Sequence, residues 1–321
     1  MNFKQVTVFG GSGFIGQAIV RALAHQGYLV RVACRRIELA ERVKTAGDVG
    51  QITVMRTNLR VPESVDVAIA GSQFVINAAG IPFERGRQRY RGVHVEGARA
   101  LASAARAHGV QRLVHVSGIG AESGSSKNRY IQSKVEAESA VIAAFESATF
   151  LRPSVVFGPD DVLFNRLGKI AAMAPFMPVV GNGKARVQPV FVGDVAAAAV
   201  AVLARPDTAR SVFELGGPRV YTYRELAALT LLETGRQKPI IGVPAALMKV
   251  AAFFAEFPAL LGLTPQITRD QVDLLVHDNV VRPGAQDLAS LGIVPTAAEV
   301  ILPTYLDRFR IGGRYNQHAP A

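Results

Sequence analysis

Short apolar runs alternate along this chain with longer stretches of helical spacing, and that alternation predicts most of its elements. Residues 6–23, VTVFGGSGFIGQAIVRAL, open the pattern. Val6, Val8 and Phe9 form a β-branched run, a cluster of glycines follows, and apolar positions then recur at Ile15, Ile19, Ala22 and Leu23 with a helical period. Gly27 closes that helix, and 28–34 reads as a second strand. A polar helix around 39–44 leads to a third strand over 51–56. Residues 65–70 read as helix up to Gly71, and FVINAAG over 74–80 reads as a fourth strand ending in small residues. Helical spacing over 95–108 ends at Gly109, and RLVHVSGIG over 112–120 gives a fifth strand. Another helix follows over 128–144, then a sixth strand from 149, with a Gly158–Pro159 break. Apolar strands alternating with helices predict right-handed crossovers and an α/β fold, a doubly wound parallel sheet. No repeat of solenoid period interrupts it.

Beyond Gly158 the texture changes. Residues 164–174 read as helix, followed by Pro175, Pro178, Gly181 and Gly183, and 187–204 returns to strand and helix. The expected division is a main sheet domain over 1–156, re-entered at about 187–204, with 157–186 and 205–321 as a smaller C-terminal cap or substrate domain. Thr222 and Glu225 form a capping box for a helix over 223–234. Residues 240–263, IIGVPAALMKVAAFFAEFPALLGL, are apolar enough to resemble a membrane span, but Pro244, Lys249, Glu256 and Pro258 interrupt them. The expectation is a helix packed on the cap; a helix lying in a membrane interface is the alternative.

The glycine turn brings in chemistry. Gly10 permits a tight turn, Gly13 removes a Cβ from the path of a pyrophosphate, and Gly16 lets the new helix pack closely on the strand. The helix N-terminus then offers N–H groups and a positive dipole end to phosphate. Ser12, Phe14 and Ile15 complete the turn and belong to the same expected nucleotide site, in a Rossmann-type domain. At the end of the second strand, where an acidic residue usually holds a ribose 2′-hydroxyl, stand Cys34, Arg35 and Arg36. Cysteine cannot grip a diol as a carboxylate does, whereas two guanidiniums can hold a 2′-phosphate. NADP(H) is therefore favoured over NAD(H). Asn58 and Leu59 would lie beside the adenine, and the small residues Ala78, Ala79 and Gly80 let backbone approach the cofactor.

Composition adds two limits. The formal net charge is +11, which predicts attraction to anions without choosing among nucleotide, acidic protein, lipid head group and nucleic acid. Arg85, Arg87, Arg89 and Arg91 are read as a solvated loop and helix start; no nucleic-acid motif or aromatic platform accompanies them, so no nucleic-acid partner is expected. One cysteine, Cys34, excludes an internal disulfide framework, and no secretory signal is evident, so a cytoplasmic protein is expected. No metal site is expected.

Tyr130 and Lys134 lie four residues apart on the helix over 128–144 and share a face. An ammonium there favours phenolate, so Tyr130 could exchange a proton with a substrate oxygen while a nicotinamide exchanges hydride, and Ser117 at the end of the fifth strand could orient that oxygen.

GGSGFIG, NAAG, the Tyr130/Lys134 pair and LRPSVVFGP together resemble the extended and atypical short-chain dehydrogenase/reductase superfamily, of NAD-dependent epimerase/dehydratase type, over essentially the whole chain. FGGSGFIG, CRR, GRQRYRGVHVEGAR, RYIQSK, LRPSVVFGPDDVLFNR and QPVFVGDVA are similar, more narrowly, to the branch holding the ninth alpha-subcomplex accessory subunit of respiratory complex I and its bacterial relatives. The resemblance implies cofactor contacts from Tyr130, Lys134 and Pro153 besides those above, and a monomer apart from any larger complex. It also implies a structural role beside a membrane-associated, quinone-linked partner, here peripheral at the inner face of the membrane. Two departures bear on catalysis. Gly118 stands where superfamily enzymes carry serine or threonine, and the interval from Ser117 to Tyr130 is short. Both favour a cofactor that is structural or slowly turned over; the alternative is an active NADPH-dependent reductase, dehydratase or isomerase on a small hydrophobic carbonyl or quinone. His94 occupies a place where the superfamily often has asparagine.

Overall fold

The structure is a computed structural model that describes residues 4–122, 128–260 and 267–313, with backbone alone for 257–260. Its first half runs β1 (Gln5–Phe9), α1 (Phe14–His25), β2 (Leu29–Cys34), α2 (Ile37–Lys44), β3 (Ile52–Arg56) and α3 (Pro62–Ile69). Then come β4 (Phe74–Asn77), a π-helical turn (Arg91–Glu96), α4 (Gly97–Ala107), β5 (Arg112–Val116), α5 (Arg129–Ala144) and β6 (Thr149–Pro153). The chain continues through β7 (Val156–Phe157), α6 (Leu163–Met173), β8 (Met177–Val180), β9 (Arg186–Val187) and β10 (Val190–Phe191). It returns with α7 (Val192–Ala204) and β11 (Val212–Leu215), and goes on to β12 (Tyr221–Thr222), α8 (Tyr223–Glu233), β13 (Ile240–Val243), α9 (Ala245–Leu260) and α10 (Arg269–Leu274).

Seven strands form one sheet in the order β11-β6-β5-β4-β1-β2-β3, every pair parallel. β4 and β6 are buried along their whole length, as expected of strands covered on both faces. α1 and α7 pack together, while α3, α4 and α5 form a second layer over a core containing Val75, Leu101, Leu113, Val141 and Phe150. The strand order reverses between β1 and β4, and in doubly wound sheets ligands gather outside the carboxyl ends at such a switch point. The loops after β1, β2, β3 and β4 meet there.

The chain divides into two compact units. The first comprises residues 1–153, 192–215 and 282–294, and the second 154–191, 216–281 and 295–321. β9 and β10 stay with the second unit because β9 pairs with β12 and β10 with β7, so the first unit resumes at Val192. The second unit has its own cores, around Phe157, Phe164 and Leu226 and around Met177, Ala227 and Leu231. The capping box forms: Thr222 Oγ1 accepts from the Glu225 N–H at 3.2 Å, and Glu225 accepts from the Thr222 N–H at 2.7 Å.

Residues 240–263 depart from a single helix. Ile240–Val243 is a strand paired in register with β8, set between Pro239 and Pro244, and the helix begins only at Ala245; 261–263 lie outside the described residues. α9 packs through Ala245, Met248 and Ala252 against Val180 and Val272. Its opposite face leaves Leu247, Val250 and Phe254 at 59%, 54% and 65% exposure. Among the described residues no helix is long and apolar enough to cross a membrane.

Candidate functional site

The glycine turn after β1 is built by close backbone approach. Gly10 adopts φ +76, and a Cβ on it would stand 2.7 Å from the Ala79 backbone, so the end of β4 lies directly against the turn. The Gly10 carbonyl accepts from the Gly13 N–H at 2.9 Å. Gly13 offers no side-chain cap and the first turn of α1 holds no acidic residue, so its leading N–H groups and positive dipole end are left for an anion.

Beside the turn is a cavity of about 240 Å³. Of the residues expected at the cofactor, Gly10, Ser12, Gly13, Arg35 and Arg36 line it, as do Asn58, Leu59, Ala78, Ala79 and Gly80. Phe14, Ile15, Gly16, Tyr130, Lys134 and Pro153 do not. Gly16 lies behind the turn, and the Pro153 carbonyl accepts from the Ile119 N–H at 3.1 Å, beside the Ser117 loop. At the cavity's arginine end Cys34 is buried, its thiol donating to the Arg36 carbonyl at 3.3 Å and pushed up first by burial. Arg35 is held below its ordinary value by burial first, then by the like charges of Arg36, Arg60 and Arg85. Arg35 and Arg36 line that end of the cavity, and Arg60 and Arg85, on two further loops, lie near enough for their charges to act on Arg35. Arg60 and Arg85 were not among the expected residues; only tertiary structure brings them near Arg35.

The reactive candidates sit on β5 and α5. Ser117 is buried just past β5, its N–H bonded to the Leu151 carbonyl at 2.7 Å and its hydroxyl without a hydrogen-bond partner among the described residues. Asn128 caps α5 by accepting from the N–H groups of Tyr130 and Ile131 at 3.1 and 3.2 Å. Lys134 lies 5.7 Å from the centre of the Tyr130 ring at 6% exposure, and among the described residues no carboxylate pairs with it. A buried lysine ordinarily has such a partner, which makes Lys134 a candidate for meeting a ligand. A Cβ on Gly80 would stand 3.7 Å from Lys134 Nζ, which joins α5 to the cavity wall. One turn beyond Lys134, Glu138 takes two hydrogen bonds from the buried Arg152, at 3.0 and 2.6 Å, and so anchors α5 to β6. The continuation of the Tyr130, Lys134, Glu138 spacing was the available signal for that anchor.

Comparison with known proteins follows this geometry. A family model for the NAD dependent epimerase/dehydratase family matches residues 6–216. The chain belongs to this family. Among epimerase/dehydratase relatives it is 34% identical over 317 residues to the mitochondrial "NADH dehydrogenase [ubiquinone] 1 alpha subcomplex subunit 9" of Arabidopsis thaliana, covering 96% of this chain and 78% of that protein. It is 33% identical over 241 residues to a "Ceramide reductase" of Caulobacter vibrioides, covering 74% of this chain and 73% of the relative. Among solved structures, an NADPH-dependent quinone oxidoreductase of Escherichia coli complexed with NADPH superposes with a TM-score of 0.72 at 17% identity. That likeness covers 92% of this chain and 97% of the other, and it supports the fold.

Two buried histidines flank the site of this epimerase/dehydratase member. His94, in the π-helical turn, is pushed from 6.5 to about 2 by burial, then by the charges of Lys134 and His115. His115 on β5 is pushed to about 3 by burial and then Lys134; its Nδ1 is 3.1 Å from the Asn77 amide nitrogen, so the amide donates. Both bind protons more weakly folded than unfolded. Their contribution to stability is fully present above pH 6.5 and is lost as pH falls toward 3, at up to about 1.4 kcal/mol per pH unit for each. His115→Asn, which keeps an acceptor for Asn77, is expected to reduce the slope of stability against pH between 6 and 4 by about 1.4 kcal/mol per unit. Urea melts across that range check it, and an unchanged slope would refute the assignment.

Proposed function

We propose that this protein binds NADP(H) and holds it as a structural or slowly turned-over cofactor, in the manner of a complex I accessory subunit beside a membrane- or quinone-associated partner. The observation that carries the nucleotide reading is the pair Arg35 and Arg36 lining the cavity at the end of β2, with the charges of Arg60 and Arg85 acting on Arg35 from neighbouring loops. Two guanidiniums at that end fit a dianionic 2′-phosphate, and none of the residues lining the cavity offers a carboxylate for a bare ribose diol. The fit continues along the cavity: the Gly10–Gly13 turn would take the pyrophosphate, Asn58 and Leu59 the adenine, and Ala78 to Gly80 the nicotinamide half. When bound, the cofactor would supply hydride chemistry at its nicotinamide. Arg35→Ala combined with Arg36→Ala is expected to weaken NADPH by about 10²- to 10⁴-fold while NADH changes little, since each charged hydrogen bond is worth about 1.5–3 kcal/mol and two are lost. Fluorescence titration measures this directly, and equal affinity of the native protein for both nucleotides would defeat the reading.

The partner half of the proposal is supported by the +11 charge, the exposed apolar face of α9 and the similarity to alpha-subcomplex subunit 9 proteins. They fit a monomer outside its complex that docks at the inner face of a membrane.

A second reading, an active NADPH-dependent reductase on a small hydrophobic carbonyl or quinone, is favoured by the buried Lys134 side chain and by the Ser117 hydroxyl, buried without a partner among the described residues. Ser117 would donate a hydrogen bond to the substrate oxygen, Tyr130 would supply its proton, and Lys134 would hold Tyr130 ready to do so. Tyr130→Phe is then expected to cut NADPH oxidation by about 10²- to 10⁴-fold with nucleotide affinity unchanged. Turnover undiminished in that variant would remove Tyr130 from the chemistry.

A further inference from the structure

The segment from Ile81 to Glu96 joins the cavity wall to the helix that carries Tyr130. Ile81 and Val93 line the cavity. The Ile81 N–H donates to His94 Nε2 at 2.9 Å, which makes Nε2 the acceptor and puts the ring proton on Nδ1. Nδ1 lies 2.8 Å from Ser133 Oγ, and the Ser133 hydroxyl in turn donates to the Tyr130 carbonyl at 2.7 Å. Each donor therefore has one acceptor, and the chain of bonds runs in a single direction through buried groups. In an α-helix the Tyr130 carbonyl also accepts from the N–H four residues on, that of Lys134.

Packing holds the imidazole in this path. Its ring stacks on Tyr90 at 5.4 Å between centres and meets the Tyr130 ring edge-on at 5.8 Å. With its proton affinity driven down to about 2, the ring stays neutral and Nε2 keeps its lone pair for Ile81 at any working pH. It projects from a π-helical turn, a feature that often marks functional positions. A second tie runs parallel: Glu84 accepts from the Tyr90 N–H at 2.9 Å and pairs with Arg129, the residue before Tyr130, at 2.7 Å.

We propose that His94 is a positioning residue that couples the wall of the nucleotide cavity to the first turn of α5, so that binding of the nucleotide and placement of Tyr130 are set together. This rests on the NADP(H) reading above. A ligand seated against Gly80 and Ile81 fixes the Ile81 amide, and the imidazole and the Ser133 hydroxyl carry that constraint to Tyr130. His94 itself touches no reacting atom and moves no proton.

The two ends of the tie can be cut separately. Glutamine at 94 sets its amide near the Nε2 position and keeps an acceptor for Ile81 while losing the donor to Ser133. Ser133→Ala removes the same far end from the other side. NADPH binding is read by nucleotide fluorescence, without interference from tryptophan because the chain has none. Hydrogen exchange is read in peptides covering 78–90 and 128–136, with and without NADPH. In the native protein the nucleotide is expected to slow exchange in both peptides. In His94→Gln and in Ser133→Ala it is expected to slow exchange in 78–90 alone, with affinity within about threefold of native. His94→Asn, which keeps the Ser133 end and loses Ile81, is expected to weaken NADPH by about fivefold or more. A merely structural histidine would raise exchange equally with and without nucleotide, and protection of 128–136 that persists in both far-end variants would overturn the proposal. Native protection in 78–90 without 128–136 would overturn it too, leaving the cofactor reading intact. Failure of the native protein to bind NADPH or NADH would overturn that reading and this proposal with it.

Discussion

Arg152→Met is expected to lower the stability of this protein by about 3–5 kcal/mol, the usual cost of removing one partner from a buried ion pair. Arg152 lies on β6 at 8% exposure, between Glu138 of α5 and Glu214 of β11. Its guanidinium takes both oxygens of Glu138 and stands 3.4 Å from Glu122 and 3.9 Å from Glu214. Burial alone would push Arg152 below its ordinary value; the hydrogen bond and charge of Glu138, with Glu122 and Glu214, carry it above. In the variant, Glu214 at 1% exposure keeps Arg282, which pairs with it at 2.6 Å, but Glu138 loses both of its hydrogen bonds in a buried setting. Methionine replaces the volume and leaves the charge unanswered, and that unanswered charge sets the size of the loss. Arg152→Lys keeps a charge without the fork and should cost about 1–2 kcal/mol. Because Glu138 sits one turn past Lys134, the methionine variant should also bind nucleotide poorly under conditions where it remains folded. Denaturant melts of the three proteins decide it; a methionine variant within about 1 kcal/mol of native would mean that the network contributes little.

The same network shows where the sequence stops being legible. β1 to β6 are readable because strands covered on both faces become near-continuous apolar runs, and glycines punctuate them at the turns. β11 is not, since a short strand holding the charged Glu214 at its centre resembles a surface loop until Arg152 and Arg282 are known to meet it. The stretch 95–108 reads as a regular helix, but a π-helical turn precedes it from Arg91, and the extra residue breaks the 3.6 period on which such a reading depends. Ile240–Val243 reads as the start of a helix because its partner, Met177–Val180, lies far away in sequence. At the site, the glycine turn, Arg35, Arg36 and the small residues after β4 announce themselves locally. Arg60 and Arg85 do not, nor does the tie from His94 to Tyr130, since each depends on loops that only the folded sheet assembles.

Gly16→Ala and Gly13→Ala should separate packing from binding within one turn of helix. Helix propensity alone would make alanine at 16 stabilising by up to about 1 kcal/mol. The added Cβ would stand 2.1 Å from the Gly10 carbonyl oxygen and 2.7 Å from Gly11 Cα, all backbone, so no flexible side chain can yield. Overpacking of that kind costs about 1–3 kcal/mol or more and forces α1 away from the turn, so Gly16→Ala should lose both stability and nucleotide. At Gly13 the backbone lies at φ −85 and ψ 172, open to any residue, and the nearest atom to an added Cβ is 3.3 Å away. That atom is the Gly10 carbonyl oxygen and the contact is a tight one, so Gly13→Ala should cost up to about 1 kcal/mol, less than the loss at Gly16. Yet Gly13 lines the cavity where the pyrophosphate is proposed to lie, and its methyl should weaken NADPH by about tenfold or more, equivalent to about 1.4 kcal/mol. Thermal melts and titrations of the pair read both effects. If Gly13→Ala binds NADPH as the native protein does, the turn is a packing device and the phosphates lie elsewhere; if Gly16→Ala is as stable as native, the close contact that shapes the cradle is absent.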